Sequence, residues 1–231
     1  MDKLILHIES ATKACSVAIS RGEECIAFKE EVDINYSHAE KLNLFVEEVL
    51  TEAALELKDL DAVAVSKGPG SFTGLRIGVA VAKGYAYALS IPMIATSTLK
   101  GLYYQLAANA ELDAQELVIP MIDARRREVY TQTFSNSGEA TNEIHAEVIE
   151  KNSFDGLEAK TIHLIGDGAA KFESDFEGDE SIKIHTNTYP SARYMIPEAV
   201  KAFNSVRFED IAYFEPFYLK DFIAIKPRKI F

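Results

Sequence analysis

Residues 3–32, KLILHIESATKACSVAISRGEECIAFKEEV, decide the architecture. Three apolar, strand-forming runs follow one another here: Lys3–Glu9, Ala14–Ser20 and Glu24–Val32. Ser20-Arg21-Gly22-Glu23 reads as a tight hairpin turn between the second and the third. With Ser20 opposite Glu23, Cys15 falls opposite Phe28 and Cys25 opposite Ala18, which sets the two thiols on opposite faces of the sheet. That register predicts no disulfide. The spacing suits no zinc site, and both cysteines are expected to be packing residues.

Beyond this triplet the pattern changes to alternation. A helix is expected over His38–Leu57, opened by a capping box of Ser37 and Glu40 and carrying Leu42, Phe45, Val46, Val49 and Ala53 on one face. A buried strand, Asp61–Ser66, leads through a glycine-rich turn into helix Phe72–Ser90, strand Pro92–Ala95 and helix Thr98–Asn109. The second half repeats the order. Strands are expected at Leu117–Asp123, Glu128–Phe134 and near His145–Ile149, with a turn at Asn136-Ser137-Gly138. Strand Thr161–Ile165, turn Gly166-Asp167-Gly168, a short helix, strand Ser181–His185 and helix Ala192–Phe203 follow. Three strands and then alternating helix and strand, written twice, predict a two-lobed α/β protein. The plan is that of the actin-like, Hsp70-like (ASKHA) and sugar-kinase-like fold, with duplicated RNase H-like lobes, mixed sheets and a cleft between them. The expected lobes are residues 1–110, carrying partner-binding helices, and 111–231, whose C-terminal segment is expected to pack back on the first.

Composition narrows the function. With 231 residues and 48% apolar, the chain can bury a full core. Lys83 interrupts the longest apolar run, so no membrane span is predicted. The N-terminus reads straight into a strand rather than a signal peptide, which makes a cytoplasmic location the expectation. A formal charge of −12 argues against strong RNA binding by the chain alone, because that affinity rests on Lys and Arg at phosphates. Arg125-Arg126-Arg127 and Lys226-Pro227-Arg228-Lys229 are the basic clusters; either can touch a phosphate, and both also read as solvated ends of elements.

In this fold the cleft normally holds ATP, and phosphate loops need glycine so that backbone amides come close. The first loop here, Glu9-Ser10-Ala11-Thr12-Lys13, has none, and neither has Asp123-Ala124-Arg125-Arg126-Arg127. Glu9, Thr12, Gly166 and Gly168 are the weak nucleotide candidates that remain. No HxxxH or HExxH pair stands near His38, the other histidines (His7, His145, His163, His185) are scattered along strands, and no G-x-S-x-G elbow is present. No catalytic residue, metal or cofactor is therefore expected in the isolated chain.

Helix Phe72–Ser90 carries the other signal. Gly74, Gly78, Ala82 and Ala86 recur every four residues, and Ala80, Gly84 and Ala88 form a second small-residue row beside them. Such rows let another backbone approach closely, and interior glycines cost about 1 kcal/mol each relative to Ala, so something must compensate. Packing against the first helix of the same lobe is one reading. A four-helix seam with a related subunit, including Leu42, Phe45 and Val49, is the other.

Gly68-Pro69-Gly70-Ser71-Phe72-Thr73-Gly74-Leu75-Arg76-Ile77-Gly78 resembles, without a gap, the signature of the bacterial TsaB (YeaZ) family. Support is co-linear: Ile8-Glu9-Ser10-Ala11-Thr12 with Ala14-Cys15-Ser16-Val17-Ala18, His38-Ala39-Glu40, Ile119–Arg126, and Pro216-Phe217-Tyr218-Leu219-Lys220. Glu9, Ala39 and Lys220 depart from the family's usual Asp, Ser and Arg. The resemblance implies a non-catalytic relative of TsaD, the subunit that transfers threonylcarbamoyl to an adenosine beside the anticodon of certain tRNAs. It implies a heterodimer with TsaD, recruitment of the ATPase TsaE, and self-pairing when alone. ATP and threonylcarbamoyl-adenylate would be handled by those partners. Ser71, Phe72, Thr73 and Arg76 join the two helix rows as expected interface residues, and Arg125, Arg126 and Arg127 as tRNA contacts made through the complex. An ATPase or small-molecule kinase using the same cleft, and a metal-dependent glycoprotease-like peptidase, are the alternatives.

Overall fold

The computed structural model describes residues 2–32 and 38–220, the side chains of His38 and Ala39 excepted. Ser37, expected to cap the first helix, and the basic stretch 226–229 lie outside the described residues. The first sheet holds β1 (Leu4–Glu9), β2 (Ala14–Arg21), β3 (Glu24–Val32), β4 (Ala62–Ser66) and β5 (Met93–Thr96), in the order β3-β2-β1-β4-β5. The second holds β6 (Glu116–Asp123), β7 (Glu128–Thr131), β8 (Phe134–Ser135), β9 (His145–Val148), β10 (Thr161–Ile165) and β11 (Ile182–His185). Its order, β11-β10-β6-β7-β9, is the first sheet's written again, with β6 in the place of β1. Pairings repeat too: β1–β2 and β6–β7 are antiparallel, while β1–β4 and β6–β10 are parallel. The duplicated two-lobed plan is thus a property of hydrogen bonding.

Strands β1, β2, β4 and β10 are buried along nearly their whole length, as strands covered on both faces must be. On one face of the first sheet lie α1 (His38–Glu52) and α2 (Phe72–Leu89). Leu42, Phe45, Val46 and Val49 pack there with Val79, Ala82, Val17, Val63 and Val65. Leu42 is fully buried, so its truncation to Ala costs about 2–5 kcal/mol.

The opposite faces show an exchange that the sequence order conceals. The helix α3 (Thr98–Ala107) of the first half packs on the second sheet, through Leu99, Leu102, Tyr103 and Leu106 against Val118, Ile122 and Ile165. The last helix, α4 (Ile196–Asn204), and the 3-10 turn Ala192–Met195 before it pack on the first sheet against Ile5, Ala18, Ala62 and Ala64. Alanines on that face let the helix come close. A division at residue 110 is therefore corrected: α3 belongs to the second core and α4 to the first.

Smaller differences have local causes. The first helix ends at Glu52 rather than Leu57, because Ala54 turns left-handed (φ 52°). The strand expected over Glu128–Phe134 divides, and its end pairs back onto β6 as Leu117↔Ser135. In the first hairpin Arg21 faces Glu24, and a bulge at Ile19/Ser20 places Cys15 opposite Glu31 and Cys25 opposite Ser20. The thiols still lie on opposite faces, but Cys25 is exposed and does not pack.

Candidate functional site

The eleven-residue stretch 68–78 is a joint. It carries the chain from β4 into α2, and Ser71 caps that helix by accepting the Gly74 N–H at 3.3 Å. The β1–β2 loop is fastened to it. Ser71 N–H donates to the Ala11 carbonyl at 2.6 Å, and the Ser10 hydroxyl to the Gly74 carbonyl at 2.9 Å. Two glycines make that closeness feasible. A Cβ at position 70 would lie 2.4 Å from the Ala11 oxygen, and one at position 78 would lie 2.2 Å from Ser10 Oγ.

This geometry sorts the two small-residue rows. Gly74, Gly78, Ala82 and Ala86 are buried, Gly78 against Ser10 and Ile8 of the chain's own sheet. They, together with Leu42, Phe45 and Val49, are corrected from partner-facing to internal residues, since all of them are buried within the chain itself. The outward row is Ala80, Gly84 and Ala88, flanked by Thr73, Arg76 and Tyr87, all exposed. A Cβ at Gly84 would meet nothing within 4 Å in the described chain. Ser71 and Phe72 are half-buried at the edge of this face, Phe72 with the Arg76 guanidinium 4.8 Å from its ring.

A groove of about 410 Å³ runs between the lobes from the β1–β2 loop to the β6–β7 turn. Thr12, Lys13, Ser71, Asp123, Arg125 and Asp167 are among its walls. The backbone amides that a phosphate would need are bound within the chain. Ala11 N–H donates to Glu9 Oε1 at 2.7 Å, Ala14 N–H to Thr12 Oγ1 at 3.2 Å, and Arg125 N–H to Asp123 Oδ1 at 2.7 Å. Asp123 N–H donates to Asp167 Oδ1 at 3.0 Å and Gly168 N–H to the Met121 carbonyl at 3.0 Å. Gly166 and Gly168 exist for a further close approach: a Cβ at either would press on Met121 at 2.4 and 3.0 Å. They are corrected from nucleotide-facing to packing glycines.

Asp123 and Asp167 line the groove together with Lys13, Arg125 and Lys220, and Glu9 is buried at the end of β1. Burial pushes the Glu9 carboxyl up to about 7, against the pull of its hydrogen bonds from Ala11 and Ser66. Burial likewise pushes Asp167 up to about 6, against its hydrogen bond from the Asp123 N–H; the Asp123 carboxylate adds to the rise, and Lys13 and Lys171 oppose it. The arginines divide. Arg127, exposed like its two neighbours, is paired with Asp175 and the Ile149 carbonyl of the second lobe, both at 2.9 Å. Arg125 and Arg126 remain exposed, on backbone turned left-handed (φ 72° and 53°). Lys171 holds that turn by donating to Asp123 and to the carbonyls of Arg126 and Glu128.

One feature escaped sequence reasoning. His163 and His185, expected to be scattered, stack across β10 and β11 with their nitrogens 3.0 Å apart, a pairing that only neighbouring-strand register reveals. The segment 207–220 returns along the first lobe, pairing Glu209 with Met93 on the edge of β5 and Phe217 N–H with the Lys67 carbonyl at 2.7 Å. Among the described residues, no three His, Cys, Asp or Glu side chains form a group that could hold a metal ion, and no helix is long and apolar enough to cross a membrane.

The family model described as "TsaD: tRNA N6-adenosine threonylcarbamoyltransferase" matches residues 33–153. Over 231 residues the chain is 30% identical to the tRNA threonylcarbamoyladenosine biosynthesis protein TsaB of Escherichia coli K12, covering 96% of each chain. The like-named protein of Buchnera aphidicola subsp. Schizaphis graminum is 31% identical over 205 residues, which is 85% of this chain and 93% of that one. YeaZ from Pseudomonas aeruginosa, a solved structure, superposes with a TM-score of 0.80 at 26% identity, covering 94% of this chain and all of that one.

Proposed function

The chain belongs to the TsaB (YeaZ) family, and from that premise we propose that it serves tRNA threonylcarbamoyladenosine synthesis as a non-catalytic subunit docked on a TsaD-type transferase through the outer face of α2. The observation that carries this reading is Gly84. An exposed glycine in mid-helix costs about 1 kcal/mol relative to Ala, and nothing in the described chain touches the place of its missing side chain. Its use lies outside the chain. The flat strip Ala80-Gly84-Ala88 admits a partner helix at close range, and exposed Tyr87 and Arg76 beside it are residue types that anchor interfaces. In the absence of that partner, the same strip serves self-association.

The groove supports the non-catalytic part. A phosphate cradle needs free, convergent amides; here Ala11, Asp123, Arg125 and Gly168 have given theirs to the chain's own oxygens. The joint of Ser10, Ala11 and Ser71 turns a loop of nucleotide-binding type into a mount that fixes the start of α2. ATP and threonylcarbamoyl-adenylate are then the business of the partners, including a TsaE-type ATPase. Exposed Arg125 and Arg126 offer contacts for tRNA held by the assembly.

Reconstitution tests this. The isolated chain is expected to give no threonylcarbamoyladenosine on tRNA and no heat with Mg-ATP at micromolar concentration. Adding it to a TsaD-type and a TsaE-type subunit, with tRNA, ATP and threonylcarbamoyl-adenylate supplied to every sample, should restore modification. Turnover by the chain alone, or a micromolar Kd for Mg-ATP, would overturn the non-catalytic role.

A further inference from the structure

The last described residues cross the groove. From the edge of β5 the chain passes Ile211 and Phe214, which pack on the first core. It then reaches the stretch 216–220, whose Phe217, Tyr218, Leu219 and Lys220 form one rim of the groove. Its attachment to the first lobe is broad. Phe217 N–H donates to the Lys67 carbonyl, the Phe217 carbonyl lies where a Cβ on Gly68 would approach to 2.9 Å, and the Tyr218 ring sits 4.9 Å from that of Phe72. Among the described residues, its attachment to the second lobe is an ion pair, Lys220 with Glu128, and the Lys220 ammonium over the Tyr130 ring, 5.8 Å from its centroid. Glu128 belongs to β7, and its backbone carbonyl also receives Lys171.

These two attachments differ in kind. Main-chain hydrogen bonding, close packing and aromatic contact hold the segment to the first lobe, where it shares the rigid joint below α2. The ion pair on the other side has partners 41% and 27% exposed, a setting in which such pairs are weak and screened by salt. A segment held firmly at one end and lightly at the other, lying across a groove between two packed bodies, has the construction of a latch. We propose that residues 216–220 are a latch between the lobes: they stay with the first lobe, and pairing or release of Lys220 and Glu128 closes or opens the groove. This is independent of which partner docks on α2.

The test reads lobe separation directly. Spin labels go on E47C in α1 and K160C before β10, in a C25S background, with buried Cys15 left unlabelled; the distance distribution is measured by pulsed electron resonance. Reversing the charge in K220E should add a longer-distance population, raising the open-to-closed ratio up to about fivefold, the equivalent of about 1 kcal/mol. The swap E128K/K220E should return the original distribution, and 1 M salt should act on the parent as K220E does. Y218A, which loosens the firm end, should also broaden it. A K220E distribution identical to the parent's, or a swap that fails to restore it, would overturn the latch.

Discussion

Replacing Glu9 with Gln should make the protein more stable, and increasingly so as pH rises. Glu9 ends β1 with its side chain 1% exposed, accepting the Ala11 N–H, with the Ser66 hydroxyl beside it. Burial raises its carboxyl from 4.5 to about 7. A carboxyl with its folded value above its unfolded one binds a proton more tightly in the native state. Its contribution to stability is therefore full below pH 4.5 and is lost as pH climbs through 7. At about 1.4 kcal/mol per tenfold, the gap corresponds to about 3 kcal/mol of destabilisation at pH 8. Gln keeps the acceptor for Ala11 and never ionises. Urea unfolding followed by circular dichroism suits a chain without tryptophan. The stability difference between variant and parent should widen by roughly 2.5 kcal/mol between about pH 5 and pH 8. Parallel curves over that range would refute the reasoning, because they would mean that Glu9 titrates as if solvated.

His7 should act with the opposite sign. Its Nε2 pairs with Ser20 at 2.9 Å, its Nδ1 has no hydrogen-bond partner among the described residues, and burial lowers its pKa from 6.5 to about 3. The native state resists its protonation, so stability falls as pH drops below 6.5; His7→Gln should flatten that acid limb by about 2–3 kcal/mol between pH 6.5 and 4.5 in the same urea assay. Gly78→Ala should cost about 1–3 kcal/mol through the clash with Ser10 Oγ. Adding Ser10→Ala removes the clashing atom, so the double variant should lose less than the sum of the two single losses.

Much of this was legible in the residues. Strand periodicity and turn residues in 3–32, met again after residue 116, announced a duplicated sheet, and the two sheets share one strand order. Periodicity says that a helix has an apolar face but not which sheet will cover it, so the exchange of α3 and α4 was invisible. The two rows on α2 posed the same problem in miniature. Both consist of small residues four apart, and spacing alone could not place either one inside. Ser10 and Ile8, some seventy residues earlier in the chain, decided it by filling the space beside Gly78. Gly166 and Gly168 looked like a phosphate loop because close packing on a neighbouring strand and close approach to a ligand require the same missing side chain. The bulge at Ile19/Ser20 shifted the cysteine register for a reason that no turn signature carries.

The docking face on α2 is tested most directly by Gly84→Leu. The site is open, so the variant should fold and gain up to about 1 kcal/mol in the isolated chain from helix propensity. Titrated calorimetrically into a TsaD-type subunit, the parent should bind and the variant should lose affinity at least a hundredfold while melting no lower. Undiminished binding by a stable Gly84→Leu protein would contradict the account and place the partner on another surface.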